Sequence, residues 1–247
     1  MSAFNKLKKF FVRGANRSDM DPEPAYDLWS EQYDNQPGNL ILALDKDLFN
    51  LLIKDLDFRL SVIADVGCGT GRHWQELLDA GPQRLVGFDV SSGMLTRLKE
   101  KVPGAEAYLI KDYRLTELDD QTCDYLISTL AIAHMNDFDK ALKEWTRVLK
   151  PGGLMILTDY HPNALENGAN RTFQYHNKMI SVRNRIYPIE SIKQMAGQLG
   201  LESIRFIERK IDESMVDFYQ KQHAMHVYAK FKGIPIIYGI IFKKISC

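Results

Sequence analysis

Val62-Ile63-Ala64-Asp65-Val66-Gly67-Cys68-Gly69-Thr70-Gly71-Arg72 passes from an apolar, β-branched run into three glycines set at alternate positions. Such a run ended by glycines reads as a strand, Leu60 to Val66, and the pattern from Gly71 to Ala80 reads as the helix behind it. Glycines at that junction permit unusual φ values and let a ligand approach bare backbone. In an open α/β sheet, the carboxyl end of the first strand is where ligands bind.

The spacing restricts the ligand. A dinucleotide fingerprint, G-x-G-x-x-G/A, would need its third small residue at position 72, which is Arg72. A phosphate-cradling loop is excluded because no G-K-[ST] follows. Asp65, two residues ahead of the glycines, would repel a pyrophosphate and attract an ammonium group. Asp89 ends the next strand about 20 residues further on, where a carboxylate can accept both hydroxyls of a ribose. A ligand with a ribose, a cationic amine and no phosphate satisfies all three conditions, and S-adenosylmethionine (SAM) is such a ligand.

Outward from the loop, strands alternate with helices. Arg84 to Val90, Ala107 to Ile110, Tyr125 to Thr129 and Leu154 to Asp159 read as strands, with helices at Ser91 to Lys101 and Asp139 to Leu149. Parallel pairing requires such crossovers, so residues 60–160 form a parallel sheet covered on both faces. Upstream, Asn16 to Pro24 reads as a polar linker, and Ala25 to Tyr33 and Leu40 to Leu56 as two helices. Downstream, Arg171 to Tyr175 and Met179 to Arg185 bracket a hairpin turn. Ile189 to Leu199 is a helix stopped by Gly200, Glu202 to Arg209 is a strand, and the apolar run after Gly233 can pair beside it. The fold class is α/β, a Rossmann-like, doubly wound sheet.

Asp65 to Gly71 resembles motif I of the class I SAM-dependent methyltransferases. Gly87-Phe88-Asp89-Val90-Ser91-Ser92-Gly93-Met94-Leu95 is similar to that family's ribose and adenine segment. Ile110-Lys111-Asp112 with Tyr113 resembles the acid after the third strand, and Asp124 to His134 the fourth-strand motif. Leu149-Lys150-Pro151-Gly152-Gly153 is similar to the turn before the fifth strand. The resemblance spans residues 60–160 and comes closest to the broad type 11 small-molecule group. It implies a seven-stranded, mostly parallel sheet with the last strand antiparallel, an N-terminal helical cap and a hairpin insertion after the fifth strand. The whole chain is then one domain: cap 1–57, cofactor half 58–160, and insertion with substrate-side half 161–247. The implied cofactor is SAM, giving S-adenosylhomocysteine (SAH). The implied cofactor contacts are Asp65, Gly67, Cys68, Gly69, Gly71, Asp89, Val90, Met94, Asp112, Tyr113, Ser128, Thr129 and Leu130.

For a phenol or alcohol acceptor, a general base is worth typically ~10²–10⁴-fold in rate, and histidine titrates near neutrality. Of the six histidines, His161 follows the fifth strand and His134 the fourth. Both are candidate catalytic residues, His161 as a contact to the acceptor and its base, His134 at a position that resembles one beside the cofactor's methionine end. A structural histidine is the alternative for each. Tyr26, Trp29 and Tyr33 in the cap and Tyr160 before His161 are the expected substrate wall; Trp29 and Tyr33, four apart, share a helical face that equally suits core packing. Asp89 can also cap the following helix, Asp112 can be a turn residue, and Cys68 reads as a small filler rather than a nucleophile. His223 and His226 could share a helical face, but two ligands without a third make no metal site.

Composition agrees with this reading. Lys plus Arg and Asp plus Glu are each 32, so the chain lacks the basic excess that favours nucleic acid. No run reaches the ~18 apolar residues of a membrane span, so stable membrane insertion is not expected. Cys68, Cys123 and Cys247 are far apart, which suits a reducing, cytoplasmic compartment. Met1 to Gly14 is basic and amphipathic, either a membrane-touching helix or a tail on the body. The expected partner is a small, ring-bearing or partly apolar acceptor methylated on oxygen. A non-catalytic nucleoside-binding module and a nicotinamide-dependent oxidoreductase are the rival readings. Neither charge nor spacing speaks to the oligomeric state.

Overall fold

A computed structural model describes residues 17–36 and 39–245. The basic segment Met1 to Gly14 and Cys247 lie outside the described residues. The strands are β1 (Arg17–Met20), β2 (Val62–Val66), β3 (Arg84–Asp89), β4 (Glu106–Leu109), β5 (Cys123–Thr129), β6 (Leu149–Tyr160), β7 (Thr172–Tyr175), β8 (Lys178–Val182), β9 (Leu201–Lys210) and β10 (Pro235–Lys244). The helices are α1 (Pro22–Trp29), α2 (Leu40–Ile53), α3 (Trp74–Asp79), α4 (Ser92–Lys101), α5 (Phe138–Val148), α6 (Pro162–Glu166), α7 (Ile189–Gln198), α8 (Val216–Lys221) and α9 (Met225–Phe231).

Seven strands form one sheet in the order β4-β3-β2-β5-β6-β10-β9. From β4 to β6 every pair is parallel, and β10 runs antiparallel to both β6 and β9. Alternate residues of each central strand serve opposite cores. Ile63, Ile127 and Ile156 pack under Leu48 and Leu52 of α2, Trp74 and Leu77 of α3 and Leu98 of α4. Ala64, Leu126 and Leu157 pack under Phe138, Leu142 and Trp145 of α5 and Ile192 of α7. Burial on both faces is why β2 reads as a nearly unbroken apolar run rather than an alternation. The doubly wound sheet with its final antiparallel strand is therefore present. The first strand starts later than its apolar pattern suggests, because Leu60 is exposed with φ +57°.

The chain order reverses between β2 and β5, which opens a crevice at their carboxyl ends. Over this end sits a second sheet, β1-β8-β7. The expected hairpin is β7–β8, paired antiparallel from Thr172↔Ser181 to Tyr175↔Lys178. The expected linker Asn16 to Pro24 is corrected: Arg17–Met20 is a strand, parallel to β8 from Arg17↔Met179 to Met20↔Val182, and Pro22 opens α1. Arg-Ser-Asp-Met has no β-branched or aromatic residue, so its strand character comes from the ladder that β8 offers. Ala25, Trp29 and Tyr33 of the cap, Phe173, Ile180 and Val182 of the hairpin and Met94 of α4 share one small core.

Asp45 joins the cap to the body. Its side chain is wholly buried on α2 and accepts from Arg72 Nη2 (2.5 Å), from His73 Nε2 (3.1 Å) and from the Thr158 hydroxyl on β6. Burial alone would raise its carboxyl pKa, but Arg72 foremost, with His73 and Thr158, holds it below the ordinary carboxylate range. Burial also lowers the His73 pKa, so Arg72 supplies the compensating charge. Among the described residues, no helix is long and apolar enough to cross a membrane.

Removing one partner of a buried pair costs about 3–5 kcal/mol. Asp45→Ala is expected to lower the thermal midpoint by roughly 10 °C at this chain length. Because the folded carboxyl titrates below its unfolded value, the stability Asp45 contributes is complete above about pH 4 and is lost as pH falls. Thermal melts of wild type and Asp45→Ala should therefore converge in acid; a constant gap down to pH 2 would remove Asp45 from this role.

Candidate active site

The glycine loop is fixed from the β3 side. Gly67 and Cys68 N–H both donate to the Phe88 carbonyl (2.7 and 3.1 Å), and Gly69 N–H donates to Asp89 Oδ2 at 2.7 Å. Gly67 has φ +75°, and a Cβ there would lie 2.6 Å from Ala131 Cβ, so only glycine lets this loop meet the segment after β5. Gly71, at φ +70°, is equally closed by Leu98 Cδ1 at 2.4 Å from a built Cβ.

Two buried acids flank the loop. Asp65 Oδ2 accepts from Trp74 Nε1 at 2.8 Å, while its Oδ1 takes no hydrogen bond from the described residues. Burial foremost pushes its pKa up to about 7, and the nearby Asp89 adds to the shift. Asp89 also accepts from Ser91 N–H at 2.9 Å, and burial raises its pKa to about 6. The helix cap itself is Ser91, whose hydroxyl accepts from Met94 N–H at 3.1 Å. Each Asp89 oxygen still has lone-pair capacity for a further donor. These acids suit a cationic, hydroxyl-bearing ligand and oppose a pyrophosphate.

The other expected cofactor residues are distributed around this centre. Cys68 is buried, which raises its thiol pKa well above the ordinary value. Asp112 is exposed and paired with Arg114 at 2.8 Å, on the segment tethered by Ile110 N–H to the Asp89 carbonyl. The Tyr113 hydroxyl accepts from Asp137 N–H. Ser128 is buried with an unpartnered hydroxyl, and Thr129 Oγ1 lies 3.4 Å from Arg72 Nη2. Leu130 has φ +54° and donates to the Thr158 carbonyl. Val90 is partly exposed, and Met94 is buried in the cap core. The cap is tied down by Asp27, which accepts from the Ser91 hydroxyl (2.6 Å) and Gly93 N–H (2.9 Å), and by Asp34, which accepts from the Thr70 hydroxyl and pairs with Lys101.

Beneath the cap, His134 meets Tyr26. His134 Nδ1 faces the Arg183 carbonyl at 3.1 Å, so it carries the proton, and Nε2 accepts from the Tyr26 hydroxyl at 2.9 Å. Burial first and Arg171 second push its pKa down to about 3. Asp159 is spent on backbone: Ala133 and Tyr160 N–H donate to it at 2.6 and 2.7 Å. Tyr26, Trp29 and Tyr33 surround the Arg171 guanidinium at 5.7, 5.5 and 5.8 Å from their ring centres.

His161 lies elsewhere. Its Nδ1 accepts from Asn163 N–H, capping α6, and its Nε2 faces Glu208 of β9 at 3.4 Å, on a groove lined also by Glu166 and Glu190. Both nitrogens are engaged, and the ring packs toward Tyr238 rather than the cap. His223 and His226 do not share a helix: His223 has φ +53° between α8 and α9. Among the described residues, no group of three metal-ligating side chains exists. Sequence reasoning missed Arg171, Asp45 and Asp159. Asp45 left a signal, an acid inside the apolar stripe Leu44, Leu48 and Leu52; Arg171 left none.

A family model described as "Methyltransferase domain" matches residues 64–157. A malonyl-[acyl-carrier protein] O-methyltransferase of Hamiltonella defensa is 29% identical over 189 residues, 76% of this chain and 69% of that protein. The Yersinia pestis protein of the same name is 33% identical over 108 residues, 42% of this chain but only 39% of the relative's length. Among solved structures, magnesium protoporphyrin IX methyltransferase from Synechocystis PCC 6803 with bound SAH has a TM-score of 0.60 at 15% identity, covering 90% of this chain and 94% of that one. That likeness is one of fold.

The loop geometry makes a graded test. Gly69, at φ +54°, has nothing near a built Cβ, so Gly69→Ala is expected to cost only the left-handed backbone penalty, about 1–2 kcal/mol. Gly67→Ala adds the contact with Ala131, roughly 1–3 kcal/mol more. Equal urea midpoints for the two variants would mean that the close approach is not felt.

Proposed function

We propose that the chain is a class I SAM-dependent methyltransferase that transfers the methyl group of SAM to an oxygen of a small acceptor, ring-bearing or partly apolar, in the cytoplasm. The observation that carries the reading is the pair of buried acids on either side of a glycine loop at the sheet's switch point. Asp65 Oδ1 is positioned for the cofactor's ammonium, Asp89 for its ribose hydroxyls, and the bare backbone of residues 67–71 for its body. Asp112, Tyr113 and the segment from Ser128 to Leu130 complete the cofactor side. The bound cofactor supplies an electrophilic methyl carbon.

The protein's own contribution is orientation and exclusion of water, and well-oriented reactants gain ~7–11 kcal/mol. His134 is neutral and already bonded to Tyr26, so it acts by fixing that phenol in the acceptor wall rather than by taking a proton. Tyr26, Trp29, Tyr33 and Tyr160 form the wall, which supports an acceptor with an apolar or ring portion. Oxygen as the methylated atom is supported by the O-methyltransferase relatives. A nicotinamide-dependent oxidoreductase is opposed by Asp65 and by Arg72 in place of the third small residue, and a purely non-catalytic module by the methyltransferase family match.

Calorimetric titration with SAM, SAH and NADH tests the reading. Micromolar binding of the first two, near −8 kcal/mol, and none of NADH is the expected result; tighter binding of NADH would sink it. Ionised Asp65 is the form that meets an ammonium, and its pKa is about 7. SAH affinity should therefore weaken as pH falls from 8 to 6, by up to about tenfold per unit below pH 7. Asp65→Asn should bind more weakly at pH 8 and show a flatter profile.

A further inference from the structure

Arg171 opens the hairpin insertion and is 4% exposed. Its guanidinium has five N–H donors, yet its hydrogen bonds are two: Nη2 to the Tyr33 hydroxyl at 2.9 Å and Nη1 to the Leu130 carbonyl at 3.4 Å. No carboxylate among the described residues forms an ion pair with Arg171, and residues 1–16, 37–38 and 246–247 contain no Asp or Glu. Asp159 lies within electrostatic reach, but its oxygens are held by the Ala133 and Tyr160 N–H groups. Three aromatic faces, of Tyr26, Trp29 and Tyr33, enclose the cation.

A guanidinium removed from water without a counter-ion is costly, and aromatic faces offset only part of that cost. Its planar fork matches a carboxylate in two parallel hydrogen bonds. It stands where the segment after β5 and the end of β6 meet the cap, against Leu130, Tyr160 and Tyr33, which is the acceptor side of the site. One positive charge among neutral phenols suits a monoanion better than a phosphate dianion. The geometry points to Arg171 as the anchor for a carboxylate carried by the acceptor, with Tyr26, Trp29 and Tyr33 enclosing the adjoining apolar part. This rests on the methyltransferase reading above and names its substrate class as acids.

The test uses the full chain saturated with SAH. Its probes are benzoate, phenylacetate and a malonyl half-thioester, each with its primary amide, and phenyl phosphate. Wild type is expected to bind at least one acid about tenfold or more tighter than the matching amide, the scale of a charge-assisted bidentate contact. Arg171→Met should abolish that preference and Arg171→Lys should keep part of it. Both should bind SAH within about twofold of wild type, since no cofactor-side residue touches the guanidinium beyond the Leu130 carbonyl. The ligand-free Arg171→Met protein should melt no lower than wild type, because an uncompensated charge has been removed from the core. A large fall in its melting point with loss of SAH binding would make Arg171 a structural post and overturn the assignment. Equal affinity for acids and amides, or tighter binding of phenyl phosphate, would overturn it as well. Failure of wild type to bind SAH would instead defeat the methyltransferase reading first, and the anchor with it.

Discussion

The buried carboxylate of Asp45 is the contact through which the three parts of the site are held in register. It sits on a cap helix, takes the guanidinium that leaves the glycine loop, and receives the hydroxyl of Thr158 near the end of β6. A charge at 0% exposure is tolerable only with a compensating cation and satisfied oxygens, and Arg72, His73 and Thr158 meet both conditions. An apolar replacement of the same volume could pack there, but it would not fix where the loop ends relative to β6. The bond therefore specifies position more than it adds stability.

The same device recurs around the carboxyl edge of the sheet. Asp89 takes Gly69 and Ser91 N–H groups, Asp159 takes Ala133 and Tyr160, and Asp27 takes Gly93. Loops at a switch point have backbone donors that no ladder satisfies, and buried donors left alone are costly. Short acids placed at strand ends and cap turns supply those acceptors. The consequence is electrostatic: carboxylates gather at one edge, and burial raises Asp65, Asp89 and Asp159 toward neutrality. On the proposed function, a cationic cofactor would meet a site already built from its counter-charges.

What the sequence revealed follows from which interactions are local. β2, β3, β5 and β6 are buried on both faces, so their central residues are mainly apolar and could be read directly. The glycine loop was legible because Gly67 and Gly71 occupy conformations and clearances that other residues cannot. β1 was not legible, since Arg17–Met20 is a strand only by virtue of β8, over 150 residues away. Nor was the direction of His161, whose neighbours Asn163 and Glu208 draw it to α6 and β9 rather than to the cap. Strand ends locate a residue along the sheet edge but not on which face it falls.

The cap and hairpin also differ from the cofactor half in what constrains them. The family match covers residues 64–157, and the three rings around Arg171, those of Tyr26, Trp29 and Tyr33, lie outside it. On the proposed function, a shared cofactor would fix one half of the fold, whereas the proposed acceptor wall would answer only to its own acceptor. Among the cap rings, phenols and a neutral histidine satisfy one another, so a protein selected for stability alone would have no use for a buried guanidinium that no described carboxylate pairs. An apolar side chain would fill the same space without the desolvation penalty. A cation kept at such a position is explained by a negative charge that arrives with the ligand, and its burial among three aromatic rings is what makes that charge count, since water would otherwise screen the pair.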